Sequence, residues 1–285
     1  MTSVAPSARV DLHLHTTASD GILPPEELVQ AAHAAGLAAI AVTDHDTLEG
    51  VEAAKAAATP LGIRVIPGVE LSVFHDGREI HMLALHISRP EAINVRLRRF
   101  RETRQLRAEE IVRKLNALGV PLPLESVMLQ AGDAAVGRPH VARAMVSHGM
   151  VRDNHEAFDR YLGFGRQAYV AKERVTAQDA IEIAHEAGGV AFWAHPGNSG
   201  KRAELEKLRD LGMDGVEVRH PSHSSEDILR LSTLVDFLQM LPSGGSDWHG
   251  TRDGPRQIGN MNVPIEWLER QDERVASRAA SGVAK

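Results

Sequence analysis

Apolar residues recur along the chain with two different spacings, and the switching between them outlines an architecture. Val10, Leu12 and Leu14 alternate with polar residues, the period of a strand, so His13 and His15 leave the same face side by side. Ala38 to Val42, Arg64 to Leu71 and Ile80 to Ile87 read as further buried strands, rich in Val, Ile and Leu and bounded by Gly or Pro. Helical spacing intervenes from Pro24-Pro25 to Ala35, stopping at Gly36, with Glu26 and Glu27 in the first turn where the helix dipole favours negative charge. It returns from about Thr47 to Ala58, ahead of Pro60 and Gly62. This βαβα order predicts a mostly parallel sheet.

The pattern then changes. One long helical stretch is predicted from Pro90 to about Gly119, followed by shorter helices near Glu125 to Ala131, Pro139 to Ser147 and His155 to Leu162, with no strand signal between them. Alternation resumes with a helix from Thr176, a capping residue, through Glu186, and a buried strand from Val190 to Ala194. Helices over Arg202 to Leu211 and Ser225 to Gln239 flank a strand over Gly215 to Val218, and Met240-Leu241 makes a seventh strand. The expected organisation is an extended or disordered start over 1–8, an α/β barrel from 9–89 and 169–263, an inserted helical subdomain over 90–168, and a C-terminal helix and tail over 264–285.

Composition narrows the chemistry. None of the 285 residues is cysteine, which excludes disulfides and thiolate ligands and leaves any metal to histidine nitrogen and carboxylate oxygen. No apolar run is long enough to cross a bilayer, and the first residues lack the basic and apolar regions of an export signal, so a cytoplasmic address is expected. A net charge of −6 argues against a non-specific nucleic-acid binder, and an anionic substrate must be met locally. Residues 96–114 carry eight basic against three acidic side chains. They form either a solvated helix laced with pairs such as Glu109 to Arg113, or a face turned to an anion.

In βα-repeat proteins, function collects where strands end at their carboxyl side. The first strand carries His13 and His15, followed by Asp20 on a turn that Gly21 lets fold back. The second ends in Thr43-Asp44-His45-Asp46, the third in Gly68-Val69-Glu70; the fourth contains His81, the fifth ends at His195, and the seventh leads to Asp247 and His249. Singly, a strand-end histidine is more often structural than a ligand. Nine such groups together overfill one first-row ion, which takes about four to six ligands, so two or three metals sharing carboxylates are implied, with Glu70 as bridge. Asp44 and Asp46 are expected to orient imidazoles. His33 and His185, near helix C-termini, read as structural; His75, His148 and His155 read as loop or surface residues, and His86 is out of register. Trp193 and Trp248 are expected to pack around the ligands, with base stacking open to one of them.

The ordered motifs Asp11-Leu12-His13-Leu14-His15, Thr43-Asp44-His45-Asp46, Gly68-Val69-Glu70, Ala194-His195-Pro196 and Gly245-Ser246-Asp247-Trp248-His249 resemble those of the polymerase and histidinol phosphatase (PHP) domain family, over residues 10–86 and 170–260. The resemblance implies a distorted (β/α)7 barrel with a trinuclear centre of divalent ions, Mn2+ in the first place and Fe2+ or Zn2+ otherwise. Carried over by motif, His13, His15, Glu70 and Asp247 would hold one metal, Glu70, His81 and His195 a second, and Asp20, His45 and His249 a third. Within the family, Gly137-Arg138-Pro139-His140, the Tyr161 to Val170 segment and His220-Pro221-Ser222-His223 resemble bacterial 3′,5′-nucleoside bisphosphate phosphatases and 5′-to-3′ trimming ribonucleases of the RNase AM type. Arg138, His140, Lys172 and His223 would then meet substrate phosphate. Arg219 departs from the pattern, standing where an aromatic is expected; it would touch phosphate or lie in solvent.

The implied reaction is metal-assisted hydrolysis of the 3′-phosphate of a nucleotide such as pAp to AMP and phosphate, with trimming of 5′-phosphorylated short RNA as a related activity. Asp247 and His249 would act at the metals and His223 as proton donor to the leaving oxygen. The expected partner is a small nucleotide or a short RNA 5′ end, not duplex DNA or a membrane. Two other readings are an amidohydrolase-type metal hydrolase, which usually has a bridging lysine where this chain offers Glu70, and a non-catalytic, metal-stabilised nucleotide-binding module.

Overall fold

The computed structural model describes residues 8–132, 136–171, 175–250 and 254–281. Eight strands form one nearly closed sheet in the order β7-β6-β5-β4-β3-β2-β1-β8. They are β1 (Arg9–Leu14), β2 (Leu37–Val42), β3 (Arg64–His75), β4 (Arg78–Leu85), β5 (Val190–Ala194), β6 (Gly215–Arg219), β7 (Leu241–Gly244) and the short β8 (Val263–Pro264). Seven strands make the wall, and β8 adds a brief antiparallel pairing to β1. The segment after β7 runs along β1 at the far edge: Asp247 N–H donates to His13 O at 2.9 Å and His15 N–H to Trp248 O at 3.2 Å. The approach is so tight that a Cβ on Gly245 would lie 2.4 Å from His13 Cβ, so glycine alone fits there.

The sheet is parallel from β1 to β3 and from β5 to β7, but β4 runs antiparallel to both neighbours. The alternating βα pattern does not extend across residues 71–80. There β3 and β4 form a hairpin whose two-residue turn, Asp76-Gly77, has φ 45° and 82°. Both values are positive, as the tight hairpin turn favoured by Asp-Gly requires.

The helices are α1 (Pro25–Ala34), α2 (Glu49–Ala58), α3 (Pro90–Ala117), α4 (Leu124–Ala131), α5 (Arg138–Ser147), the short α6 (Asn154–Ala157) continued by a π turn over Phe158–Leu162, α7 (Ala177–Glu186), α8 (Arg202–Asp210), α9 (Ser225–Phe237) and α10 (Ile265–Ala280). Thr176 caps α7 and Ser224 caps α9, each hydroxyl accepting a backbone N–H at 3.1 Å from the Asp three residues on, whose carboxylate accepts the cap N–H in return. Strand alternation partitions the core. In β2, Ala39 and Ala41 join a cluster with Val10, Leu12, Phe192 and Leu268 of α10, whereas Ile40 and Val42 pack beneath α1 and α2 on Leu28, Val29, Val51 and Ala54. A third cluster seats α7, α8 and α9 on β3 and β4. Residues of α3 to α6 close around a cluster of their own, built on Ile111, Leu115, Val127, Val141, Met145 and Leu162. Among the described residues no helix is long and apolar enough to cross a membrane.

Candidate metal centre

The reversed β4 explains how the sequence-spaced histidines come to one place. In a parallel strand, His81, fourth in β4, would sit at the end of the barrel away from the other strand termini. Reversal sets it opposite Ser72 of β3 and Ala194 of β5, next to His195. Left-handed backbone at His195 (φ 34°) and Asp247 (φ 50°) turns both residues sharply at their strand ends, a conformation costing about 1–3 kcal/mol each and found where surroundings enforce it.

Glu70 is at the middle of the cluster and is 1% exposed. Its Oε2 lies 3.2 Å from His13 Nε2, 3.1 Å from His15 Nε2 and 3.4 Å from His45 Nδ1; its Oε1 lies 2.8 Å from His81 Nδ1 and 3.1 Å from His195 Nε2. One carboxylate thus faces five imidazoles. Asp247 Oδ1 is 3.4 Å from both His13 Nε2 and His15 Nε2, and Asp20 Oδ1 is 3.3 Å from His249 Nε2. Three groups result in which one atom per residue falls within 4.8 Å of the others: His13, His15, Glu70 and Asp247; Glu70, His81 and His195; and His15, Asp20, His45 and His249. All nine residues singled out in the sequence are present.

The electrostatics suit cations. Burial works against a charge on His13, yet Glu70, Glu217 and Asp247 hold its imidazole well above the usual range; burial likewise opposes the His15 charge, and Asp247 and Glu70 push its pKa up to about 10. Glu70 and Asp247 are buried too, but the surrounding imidazoles hold both carboxyls well below their ordinary values. Five buried side-chain atoms without a hydrogen-bond partner belong to this cluster: His13 Nε2, both ring nitrogens of His15, Asp20 Oδ1 and His45 Nδ1. Buried polar atoms are rarely orphaned, and an all-N/O set of this kind fits divalent first-row ions.

The residues around the cluster differ in part from expectation. Asp44 accepts hydrogen bonds from Thr16 N–H and Oγ1 at 2.7 Å and from Ser19 Oγ at 2.6 Å, bracing the loop that carries Asp20, and Asp46 pairs with Arg104 of α3. The orienting carboxylate for His13 is instead Glu217 of β6, fully buried, with Oε1 3.2 Å from His13 Nδ1 and Oε2 accepting His195 N–H at 2.7 Å. A lone Glu in Gly215-Val216-Glu217-Val218 carries no sequence signal beyond its parity, opposite to the apolar Val216 and Val218. Asp11 braces the same end, accepting Ser246 and Gly259 N–H at 2.9 Å; burial, resisted by these bonds, raises its pKa to about 6. Arg256 also contacts the Asp247 carboxylate.

Next to the cluster a pocket of about 150 Å3 is walled on one side by Asp20, His45 and His81 and on the other by Arg104, Arg107, Arg138 and His140. Arg107 Nη2 is buried with no partner, and burial together with the Arg138 and Arg104 charges lowers its pKa to about 10. An unpartnered buried guanidinium nitrogen of this kind suits an anionic acceptor. His140 Nδ1 accepts Gly137 N–H at 2.9 Å, which leaves the proton on Nε2, and burial brings its pKa down to about 4, so it is a neutral donor. The basic face of α3, left open by the sequence, supplies Arg104 and Arg107, which no motif marked.

His223 falls outside the pocket. Its Nδ1–H donates to Val218 O at 2.9 Å and its Nε2 accepts Gly197 N–H at 3.0 Å, so no ring proton is left for a leaving oxygen or a phosphate. The roles expected of His223 as proton donor and phosphate ligand are corrected on that ground. Lys172 lies outside the described residues. Arg219 does not line the phosphate pocket; half-buried, it donates to the Met261 and Asn262 carbonyls and stacks over Trp267 at 5.2 Å. Trp193 and Trp248 are buried, which removes either as a base-stacking surface. His75 is buried rather than on the surface, beside Asp76 and Glu204; there Lys207 Nζ, 2.7 and 2.9 Å from the two carboxylates, already supplies the cation.

The PHP domain model matches residues 11–108. A 5′-3′ exoribonuclease from Haemophilus influenzae is 37% identical over 247 residues, covering 85% of this chain and 90% of that protein. The chain belongs to the PHP domain family. A second relative, a 3′,5′-nucleoside bisphosphate phosphatase from Chromobacterium violaceum, is 35% identical over 260 residues, covering 89% of this chain and 91% of that protein. In three dimensions the likeness to a solved structure extends over nearly the whole chain. A crystal structure described as a metal-dependent phosphoesterase of Bifidobacterium adolescentis superposes with a TM-score of 0.85 at 28% identity, covering 94% of this chain and 97% of that one.

Proposed function

We propose that this PHP protein hydrolyses the 3′-phosphate of 3′,5′-bisphosphonucleotides such as pAp, and trims short 5′-phosphorylated RNA from its 5′ end. One observation carries the reading: Asp20, His45 and His81 border both the histidine-carboxylate cluster and the arginine pocket, so two places suited to phosphate lie within one nucleotide's reach. The names of two relatives agree with it in class, one a 3′,5′-nucleoside bisphosphate phosphatase and one a 5′-3′ exoribonuclease.

In this reading His13, His15, Glu70 and Asp247, then Glu70, His81 and His195, then Asp20, His45 and His249 hold three divalent ions, Mn2+ by preference. Bound there, the ions would supply an activated water and neutralise charge on the phosphoryl group. Glu70 joins the groups, and Glu217 fixes the His13 ring. Arg107, Arg138 and the Nε2–H of His140 hold the 5′-phosphate, which sets the 3′-phosphate at the cluster and excludes substrates lacking a second phosphate. Asp247 and His249 act at the reacting phosphate. The substrate is a mononucleotide or single-stranded end, not duplex DNA, met in the cytoplasm. With metals restored, purified protein is expected to release phosphate from pAp and to shorten 5′-phosphorylated RNA; failure at both would end the proposal. Where amidohydrolases usually have a bridging lysine, Glu70 stands at the middle of this cluster, common to two of its groups.

A further inference from the structure

The arginine pocket continues past Arg138. A second cavity of about 500 Å3 opens there, lined by Val73, Phe74, Arg78, Phe164, Tyr169 and others, and it shares Ser72, Glu79 and Arg138 with the first. Its walls are different in kind. Phe164 is 88% exposed, an aromatic ring left in water at the edge of a polar site. Tyr169 meets it edge to face at 5.4 Å and 70°. Basic residues hold the Tyr169 end of this pair: the Arg138 guanidinium of the pocket lies 5.7 Å from the Tyr169 ring, Lys114 Nζ donates to Tyr169 O at 2.8 Å, and Arg107 Nε, also of the pocket, donates to Val170 O at 2.8 Å.

We propose that Phe164 and Tyr169 form a base-binding wall, on which the nucleobase of the bound 5′-phosphorylated nucleotide stacks. The assignment rests on the nucleotide reading above and adds the part of the substrate that the phosphate contacts leave unread. Continuity through Arg138 decides the occupant, since a group in this cavity is joined to one whose phosphate sits on that guanidinium. Aromatic faces bind any base without a hydrogen-bond code, so the wall favours bases over no base rather than one base over another.

The test compares AMP with ribose 5-phosphate by titration calorimetry, and pAp with ribose 3,5-bisphosphate by phosphate release, using metal-restored full-length protein. Wild type is expected to bind AMP about tenfold or more tightly than ribose 5-phosphate. Phe164→Ala, at an exposed position that folding does not need, should abolish that difference and raise KM for pAp with kcat nearly unchanged, while Phe164→Trp keeps it. Equal binding of AMP and ribose 5-phosphate by wild type overturns the wall, as does a base preference that appears only with a dinucleotide, which would place the next base there. If the AMP preference holds but no phosphate is released from pAp, the wall stands and the phosphatase reading falls.

Discussion

The metal cluster and the arginine pocket touch along Asp20, His45 and His81, yet they are built in opposite ways. The cluster stands on strand ends, where the pleat alternation fixes side-chain direction and the closing sheet makes the directions converge. The pocket stands on α3 and α5, whose facing surfaces depend on how a helical segment with its own apolar cluster rests on the barrel. Barrel geometry defines the first; docking defines the second. Contacts that join the two regions, such as Arg104 of α3 with Asp46 beside His45, would, on the proposed reading, govern whether both phosphates of one substrate are held at once.

Removing the centre of the cluster should separate the two regions most sharply. Glu70→Gln is expected to lower kcat for pAp by roughly a thousandfold or more, with metal content measured in the same sample falling too, because one carboxylate faces five imidazoles. Nucleotide affinity at the arginine pocket should persist. The reverse change, Arg107→Met, should raise KM for pAp about 10- to 100-fold with kcat within a few fold, since a buried charge-assisted contact to phosphate is lost while the cluster is untouched. An equal fall in kcat would show that the pocket is part of the reacting centre and break the contrast. Glu217→Gln should weaken metal binding about tenfold, read by chelator competition, with little change in KM.

The smallest effect on activity is expected from a buried group remote from both. Asp214 accepts Ala191 N–H at 2.9 Å and pairs with His185 at 2.8 Å and Arg278 at 2.7 Å, and also with Arg274. Burial alone would raise its pKa, but the His185 ring and the Arg278 guanidinium hold it below the ordinary value. Its stabilising contribution is then complete above the unfolded pKa of about 4 and is lost as pH falls through the folded value. Asp214→Asn should cost about 2 kcal/mol in urea unfolding at pH 7, the gap from wild type narrowing below about pH 4, with kcat unchanged. A gap that widens in acid would contradict the pairing.

Much of the cluster was legible in the chain. His13 and His15 are two residues apart on an amphipathic strand, and period two leaves them no choice but the same face. His81 is instructive because the structure brings it to the cluster although the parallel strand assumed for it is antiparallel. The Asp76-Gly77 turn, a hairpin signal in plain view, reverses β4 and brings His81 to the ligand end. Glu217 escaped notice because an acidic residue in a short apolar strand is equally compatible with solvent. Arg104 and Arg107 escaped for a related reason: among eight basic residues on one helix, composition cannot say which face is covered. His223 shows the converse, since a suggestive motif does not reveal that Gly197 N–H and Val218 O occupy both ring nitrogens.

What the sequence determined by itself was therefore the order of elements, the absence of thiol chemistry, and a set of nine candidate ligands whose strand spacing directs them to one end of the sheet. Tertiary structure alone decided which arginines line the pocket, that Glu217 rather than Asp44 braces an imidazole, and that Phe164 and Tyr169 stand beside Arg138. The physical reason is range. Pleat and helix periodicity act over a few residues and can be read locally, whereas the choice among equivalent basic or aromatic side chains is made by burial between segments far apart in the chain.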